Sequence, residues 1–261
     1  MAETARSALV TGAAGGLGLA IAKRLAEDGI AVAVIDIDAA GAESSAKDLP
    51  GARGYGCDVT DESAVAALLD RFEADFGAAP DILVNNAGIV RFGDLLEHSV
   101  EDFRRVLDVN LTGTFIMAQA VGRRMAERGS GAIVNITSLN AVAVSPDAGA
   151  YPSSKAAVAK LTEQLSLSLA PKGIRVNAVG PGFIDSGMSS PIYRDPEAKK
   201  ARGATVPAGR IGESLDVANA VAFLASDQAS YIHGQHILVD GGVSFSLKKQ
   251  MPRKAPSEAE K

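Results

Sequence analysis

The sequence has few of the residues that cross-link small proteins or bind metals. Its 261 residues include one cysteine, three histidines and no tryptophan, and aromatic residues make up 5%. The single Cys57 excludes an intramolecular disulfide framework and suits a reducing compartment. The histidines and the cysteine do not stand at zinc-site spacing, so no metal site is predicted. With 47% hydrophobic residues, the chain has enough aliphatic material for a core, which excludes disorder throughout.

The chain also lacks an excess of basic residues and a long hydrophobic run. Its 26 Lys and Arg stand against 31 Asp and Glu, a net charge of −5 at pH 7. Nucleic-acid binding needs a basic surface that neutralises phosphates, so no nucleic-acid partner is predicted. No apolar run reaches the roughly 20 residues of a membrane span, and the N-terminus lacks a signal-peptide pattern. We therefore expect a cytoplasmic protein without a membrane partner.

Short apolar runs alternate with longer helical patterns along the chain. Strands are predicted at about 8–10, 31–35, just before Cys57, 81–85, 132–136, 174–179 and 236–239. Helices are predicted at about 17–28, 38–49, 61–76, 100–128, 150–170 and 213–225. This alternation is typical of βαβ units with right-handed crossovers. It predicts one α/β domain over residues 1–246, a doubly wound parallel sheet of about seven strands with helices on both faces.

Two segments depart from this alternation. Residues 183–207 are polar and mixed, and they are long for a plain connection, so we expect a substrate lid or an insertion there. Residues 247–261 contain five basic and two acidic residues and two prolines. They are predicted to form a flexible charged tail.

A glycine-rich turn follows the first predicted strand. Glycines at 12, 16 and 18 permit positive φ or a close backbone approach, and the helix that follows presents free N–H groups to a pyrophosphate. A glycine cluster alone is a weak signal, because tight strand-to-helix turns also use glycine. The residues predicted to contact phosphate are Gly12, Gly15, Gly16, Leu17 and Gly18.

An acidic residue ends the second strand, about 20 residues further on, where a dinucleotide site needs a partner for the adenosine ribose. This residue is Asp36. Its carboxylate would repel a 2′-phosphate, and the neighbouring Ile37 offers no positive charge to compensate. The pair predicts NAD rather than NADP, although an acid that merely begins a helix is the alternative for Asp36.

With these elements in order, the chain from Ser7 to Ser244 resembles the short-chain dehydrogenase/reductases. The glycine spacing, Asn85-Asn86-Ala87-Gly88 and Pro181-Gly182 match that family's motifs. The resemblance implies a Rossmann-type fold and further cofactor contacts from Asp58, Val59, Asn86, Ala87, Gly88, Tyr151, Lys155, Pro181, Gly182, Ile184 and Ser186. Ser186 departs from the threonine of many relatives but still offers a hydroxyl. A homotetramer is implied in the same way.

The resemblance also implies a catalytic set of Asn110, Ser138, Tyr151 and Lys155. Tyr151 would act as general acid or base, Ser138 would hydrogen-bond the substrate oxygen, and Asn110 would hold a water that links Lys155 to solvent. The spacing of Tyr151 and Lys155 places both on one helix face. An ammonium there, together with the positive nicotinamide of the oxidised cofactor, favours the phenolate, so we expect the pKa of Tyr151 to be lowered from about 10 towards neutrality when the cofactor is bound.

The substrate is expected at the carboxyl ends of the strands. Candidate walls are residues 90–91, 139–140, 142–146 and 187–193, which are mostly small and apolar. Ser138, Asn140, Tyr151 and Tyr193 are the predicted substrate contacts. Arg91 is a candidate for an anionic substrate, with an exposed rim arginine as the alternative. These walls suit a secondary alcohol, a ketone or a polyol.

Three functions remain open from the sequence. The first is an NAD-dependent dehydrogenase of secondary alcohols or polyols. The second is a reductase of 3-oxoacyl chains on acyl carrier protein, which usually prefers NADPH and is therefore disfavoured by Asp36. The third is a dinucleotide-sensing protein without catalysis, disfavoured because Tyr151 and Lys155 are both present.

Overall fold

A seven-stranded parallel sheet lies at the centre of the protein in a computed structural model, which describes residues 6–246. The strands are β1 Ser7–Thr11, β2 Ala31–Asp36, β3 Arg53–Gly56, β4 Ile82–Asn85, β5 Gly131–Ile136, β6 Ile174–Pro181, β7 Ile184–Asp185, β8 Gly212–Glu213 and β9 His236–Val239. The order in the large sheet is β3-β2-β1-β4-β5-β6-β9. The chain reverses direction across the sheet between β1 and β4, where ligands of such sheets bind. The predicted doubly wound α/β class is confirmed.

Helices cover both faces of this sheet. They are α1 Gly16–Glu27, α2 Ala39–Ala46, α3 Glu62–Phe76, α4 Val100–Leu107, α5 Gly113–Arg128, α6 Tyr151–Leu169, α7 Pro196–Thr205 and α8 Ser214–Ala225. Successive residues of a strand point to opposite faces, so Val10 packs with α1, α2 and α8, whereas Leu9 packs with α3, α5 and α6. The layer around Val10 is aliphatic, as the composition leads one to expect, whereas the layer around Leu9 also contains Tyr55, Phe72 and two methionines.

The helix predicted over residues 100–128 is interrupted. A π-helical turn at Asp108–Thr112 separates α4 from α5, which corrects the prediction of a regular helix. Turns of this kind add one residue and redirect side chains, often at functional sites. Here the turn buries Asn110 completely. Hydrophobic periodicity could not reveal it, because the apolar pattern continues on both sides.

The segment predicted as a lid, 183–207, is regular in the structure. It contains β7, a 3-10 helix at Gly187–Arg194 and α7, and β7 pairs with β8 in a second, two-stranded sheet that the sequence did not predict. Tyr193, Val206 and Ile211 form a small separate core there. That the segment closes over substrate remains a prediction, and the predicted tail at 247–261 lies outside the described residues.

Among residues 6–246, none of the helices has the length and apolar character that crossing a membrane requires. The same residues contain no group of three or more His, Cys, Asp or Glu side chains able to hold a metal ion.

Candidate active site

One cavity of about 930 Å³ opens at the carboxyl ends of the central strands. Every predicted cofactor and substrate residue lines it, from the glycine turn at one end to Tyr193 at the other. Asn110 alone among the predicted site residues does not line it. The sheet therefore brings motifs that are up to about 170 residues apart in sequence into one site.

The glycine turn is held by the strand next to it. Gly12 and Gly16 have φ values of 63° and 55°, the left-handed region that favours glycine. A Cβ on Gly18 would collide with the carbonyl oxygen of Gly12 and come within 2.6 Å of the Asn86 amide nitrogen. Asn86 Nδ2 donates to the carbonyls of Thr11 and Gly12, both at 2.9 Å. The turn is thus a tightly packed backbone surface without room for side chains.

Asp36 stands beside this turn at the end of β2. Its Oδ2 accepts a hydrogen bond from Ala14 N and its Oδ1 one from Asp38 N, each at 3.1 Å. The adjacent Ile37 is 68% exposed, and both residues line the cavity. This end of the cavity therefore combines backbone donors with a fixed carboxylate.

Further along the same wall, Asp58 and Val59 follow β3. Hydrogen bonds from the backbone and hydroxyl of Thr60, at 2.9 and 2.7 Å, lower the pKa of Asp58. Burial raises the pKa of the neighbouring Cys57 thiol to about 11, so it stays protonated near neutral pH.

Tyr151 and Lys155 lie on the first turn of α6. Lys155 is buried, and its Nζ donates to the Ile136 carbonyl at 2.8 Å and lies 5.7 Å from the centre of the Tyr151 ring. Burial without an acidic partner lowers the pKa of Lys155 to about 8. The helix geometry expected from the four-residue spacing is present.

The expected lowering of the pKa of Tyr151 does not arise from these residues by themselves. Burial raises this pKa, and a hydrogen bond with Ser138 lowers it by less. The physical cause is that desolvation penalises the phenolate by more than the Ser138 hydrogen bond favours it in the protein without cofactor. A neutral Tyr151 phenol can donate a hydrogen bond but cannot accept the substrate proton. The phenolate that accepts it needs a further positive charge nearby to lower the pKa of Tyr151.

Asn110 lies behind the cavity, within reach of Gly88. Its amide donates to the Ile89 carbonyl at 2.9 Å and to Ser154 Oγ at 3.0 Å, and its Oδ1 accepts from Ile89 N at 2.7 Å. A Cβ on Gly88 would lie 3.2 Å from Asn110 Oδ1 and 3.3 Å from Lys155 Nζ. Asn110 thus fixes the segment that follows β4, next to the lysine.

The far end of the cavity is lined partly by residues that the sequence pointed to. Asn140, Ser145 and Pro146 line it, and Asn140 Oδ1 accepts from Ser145 N at 2.8 Å. Other expected wall residues do not line it: Arg91, Leu139 and residues 142–144. Arg91 instead pairs with Asp102 at 3.6 Å. These loop side chains face away because backbone position, not composition, decides which residues of a loop reach the cavity.

Several wall residues carry no motif and were missed, among them Phe92, Arg105 and Arg202. Phe92 and Arg202 lie at the substrate end, and Arg105 lies near Asp58. No sequence signal marks them, because each reaches the cavity through the tertiary arrangement of a loop or a surface helix.

The comparisons with known proteins agree with this geometry. A family model described as enoyl-(acyl carrier protein) reductase matches residues 12–244. D-threitol dehydrogenase from Mycolicibacterium smegmatis is 40% identical over 242 residues, which are 91% of this chain and 92% of that protein. Cis-4-hydroxycyclohexanecarboxylate dehydrogenase from Sinomonas cyclohexanicum is 43% identical, over 91% of this chain and 96% of its own length. This chain belongs to the short-chain dehydrogenase/reductase family.

A solved structure of another such enzyme extends the match to three dimensions. Levodione reductase superposes with a TM-score of 0.86 at 33% identity, covering 92% of this chain and 98% of that one. As a short-chain dehydrogenase/reductase, the chain is an oxidoreductase of small-molecule substrates that uses a nicotinamide dinucleotide.

Proposed function

We propose that the protein is an NAD(H)-dependent oxidoreductase that interconverts a secondary alcohol or polyol and its ketone. The observation that carries the proposal is the placement of two unlike groups in one cavity. Tyr151, hydrogen-bonded to Ser138, stands in the middle of the cavity, and Asp36 stands beside the glycine turn at one end. Asp36 would hold the adenosine of a dinucleotide bound along this wall, and Tyr151 would then lie on the side of its reactive ring.

The residues present fit such a cofactor. The turn is free of side chains where a pyrophosphate needs backbone N–H groups, and added Cβ atoms would fill that space. Asp36 and Ile37 would hold the adenosine ribose, Asp58 and Val59 the adenine, and Pro181, Gly182, Ile184 and Ser186 the nicotinamide side. When bound, the oxidised cofactor supplies a hydride acceptor at C4 of its nicotinamide ring.

In alcohol oxidation, Tyr151 accepts the hydroxyl proton while the carbon-bound hydrogen leaves as hydride. Ser138 donates a hydrogen bond to the substrate oxygen, whose charge changes during the step. Tyr151 needs a lower pKa for this role, and the Lys155 ammonium together with the positive nicotinamide opposes the effect of burial. In the reverse direction Tyr151 gives its proton to the carbonyl oxygen.

The preference for NAD rests on charge. A 2′-phosphate near Asp36 would place about two negative charges against a fixed carboxylate. Arg105 also lines the cavity, but it pairs with Asp108 at 3.7 Å and lies near Asp58 rather than beside Asp36. Among residues 6–246, Asp36 has no cation paired with it, so this part of the chain offers no positive charge where NADP would need one.

The test is the initial rate of NADH formation with purified protein and a panel of alcohols. The panel contains D-threitol, galactitol, cis-4-hydroxycyclohexanecarboxylate and simple cyclic secondary alcohols, each with NAD and with NADP. We expect oxidation of at least one secondary alcohol with NAD and a much lower rate with NADP.

Two outcomes would overturn the proposal. Faster reduction of a 3-oxoacyl thioester with NADPH than of any ketone with NADH would place the protein with the carrier-protein reductases. Tight NADH binding without turnover of any panel compound or 3-oxoacyl thioester would favour the sensing protein.

The assembly is a further part of the proposal. The resemblance implies a homotetramer, and we keep the expectation of a cytoplasmic location. Large apolar side chains are exposed on the helices that would pair: Phe115 of α5 is 41% exposed and Leu167 of α6 is 79% exposed. Sedimentation velocity is expected to give four times the chain mass of 26.7 kDa.

A further inference from the structure

The substrate end of the cavity contains a cation without an acidic partner. Arg202, on α7, lines the cavity, and its Cζ lies 5.9 Å from the centre of the Tyr193 ring. Tyr193 is 6% exposed and lines the cavity too. A guanidinium over an aromatic face is held there by the ring quadrupole, so its position beside the cavity is defined.

Two other cations of this region provide a contrast. Lys199 pairs with Asp185 at 2.6 Å, and Arg210 pairs with Asp216 at 2.7 Å. Arg202 forms no ion pair within 4.0 Å with any carboxylate of residues 6–246. Asp147, which also lines the cavity, is therefore not its partner. Arg202 keeps its hydrogen-bonding capacity for something else that enters the cavity.

The cavity that Arg202 lines also has apolar walls. Val90, Phe92, Met188 and Ile192 line the cavity with Tyr193, and Phe92 is 69% exposed. Apolar surface left open beside a reactive tyrosine is covered when an apolar substrate body binds. A polyol carries hydroxyl groups that these walls do not satisfy.

We propose that the substrate is a secondary alcohol on an apolar body that also carries a carboxylate, which Arg202 binds. The proposal rests on the dehydrogenase function proposed above and names its substrate class. Arginine suits this role because its planar guanidinium presents parallel N–H donors to both carboxylate oxygens. Arg202 thus selects the substrate and positions it, whereas Tyr151 performs the proton transfer.

The test compares a matched pair of substrates, cis-4-hydroxycyclohexanecarboxylate and its methyl ester, which differ in one charge. The measured quantity is the ratio of kcat/KM for the acid to kcat/KM for the ester, in the wild type and in Arg202→Gln. The ratio is expected to fall by about tenfold or more in Arg202→Gln, the effect of losing one charge-assisted hydrogen bond. In Arg202→Lys the ratio is expected to lie between those of the wild type and Arg202→Gln, because lysine keeps the positive charge but lacks the planar guanidinium.

The control is Lys200→Gln, which removes a cation from the same helix at a position that does not line the cavity. Its ratio is expected to stay within about twofold of the wild type, since an exposed charge outside the site is largely screened. An equal fall in Lys200→Gln and Arg202→Gln would show a general surface-charge effect and would overturn the proposal.

A second measurement does not need turnover. Cyclohexanecarboxylate and cyclohexanecarboxamide lack the reacting hydroxyl, so calorimetric titration with NADH present reports binding alone. The wild type is expected to bind the carboxylate more tightly than the amide, and Arg202→Gln is expected to lose that difference.

The outcomes separate the two proposals. If no alcohol is oxidised but the carboxylate preference depends on Arg202, the dehydrogenase function fails and the anion site stands. If alcohols are oxidised but neither ratio nor binding responds to Arg202→Gln, the anion site fails and the dehydrogenase function stands.

Discussion

The two ends of the cavity are built in different ways. The cofactor end is made of backbone and short side chains: glycines with positive φ, the Asn86 amide bonded to two carbonyls, and a carboxylate fixed by Ala14 N. The substrate end is made of larger side chains from separate segments, among them the 69%-exposed Phe92 and the 52%-exposed Met188. One end is a rigid surface, and the other is an assembly of exposed side chains.

This difference indicates which part of the cavity recognises the cofactor and which part selects the substrate. A dinucleotide presents the same phosphates and riboses to every protein, so backbone geometry is sufficient to bind it. Alcohols differ in shape and charge, so the side chains at the other end select among them. Substitutions at the cofactor end, and at Tyr151 where the two ends meet, are expected to lower the rates with all substrates alike. Substitutions at the substrate end are expected to change the order in which substrates are preferred.

The largest effect is expected where the two ends meet. Tyr151→Phe removes the group that exchanges the proton and is expected to lower kcat by roughly a thousandfold for every substrate. Tyr193→Phe, the matched loss of a hydroxyl at the substrate end, is expected to change KM by less than about tenfold, and to a different degree for each substrate. Steady-state rates across the alcohol panel check both. A uniform loss in Tyr193→Phe would remove the distinction between the two ends.

The buried Lys155 provides a pH-dependent prediction for the protein without cofactor. Its pKa of about 8 lies below the ordinary 10.5, so the unfolded chain binds more protons between these values and stability rises with pH there. Below about pH 8 the folded state bears the full cost of the buried ammonium. Relative to Lys155→Met, the free energy of unfolding of the wild type is expected to increase by about 3 kcal/mol across this window.

Denaturant titrations at several pH values measure this change. The control is Lys160→Met, since Lys160 lies on the same helix with its side chain 69% exposed and paired with Glu163. Its stability relative to the wild type is expected to stay nearly constant over the same window. If the free energies of unfolding of Lys155→Met and the wild type differed by the same amount at every pH, Lys155 would not be a buried cation with a lowered pKa.

Two neighbouring glycines test how closely the cofactor end is packed. Gly18→Ala places a methyl group against the Gly12 carbonyl and the Asn86 amide, and it is expected to cost about 1–3 kcal/mol of stability. Gly15→Ala meets no atom within 4 Å and has an extended φ of −170°, so little loss of stability is expected. Thermal unfolding compares the two variants. Equal destabilisation would mean that the turn adapts to an added side chain.

The smallest effect is expected for the cofactor preference. Asp36→Asn removes the negative charge at the adenosine ribose and is expected to reduce the ratio of kcat/KM for NAD to that for NADP by about tenfold. Asp38→Asn, which changes a neighbouring carboxylate that does not line the cavity, is expected to have a weaker effect. An unchanged ratio in Asp36→Asn would assign the preference to another group.

The same contrast explains how much the sequence revealed. The cofactor end was predictable because its backbone geometry admits few residue types. This requirement is visible in the sequence as the spacing of Gly12, Gly16 and Gly18. The π-helical turn at Asn110 was missed because one added residue does not disturb the apolar pattern around it. Arg202 was missed, because only the fold determines which exposed arginine reaches the cavity.

The central claim is that the Tyr151 phenolate is the proton acceptor. It is tested most directly by the pH dependence of single-turnover NADH formation from a panel alcohol, in the wild type and in Tyr151→Phe. Lys155 remains in both proteins, so the comparison separates the two groups. The account predicts a wild-type rate that rises with pH through one ionisation, and a slow, pH-independent rate in Tyr151→Phe. The same ionisation in Tyr151→Phe would contradict it, because the proton acceptor would then be another group.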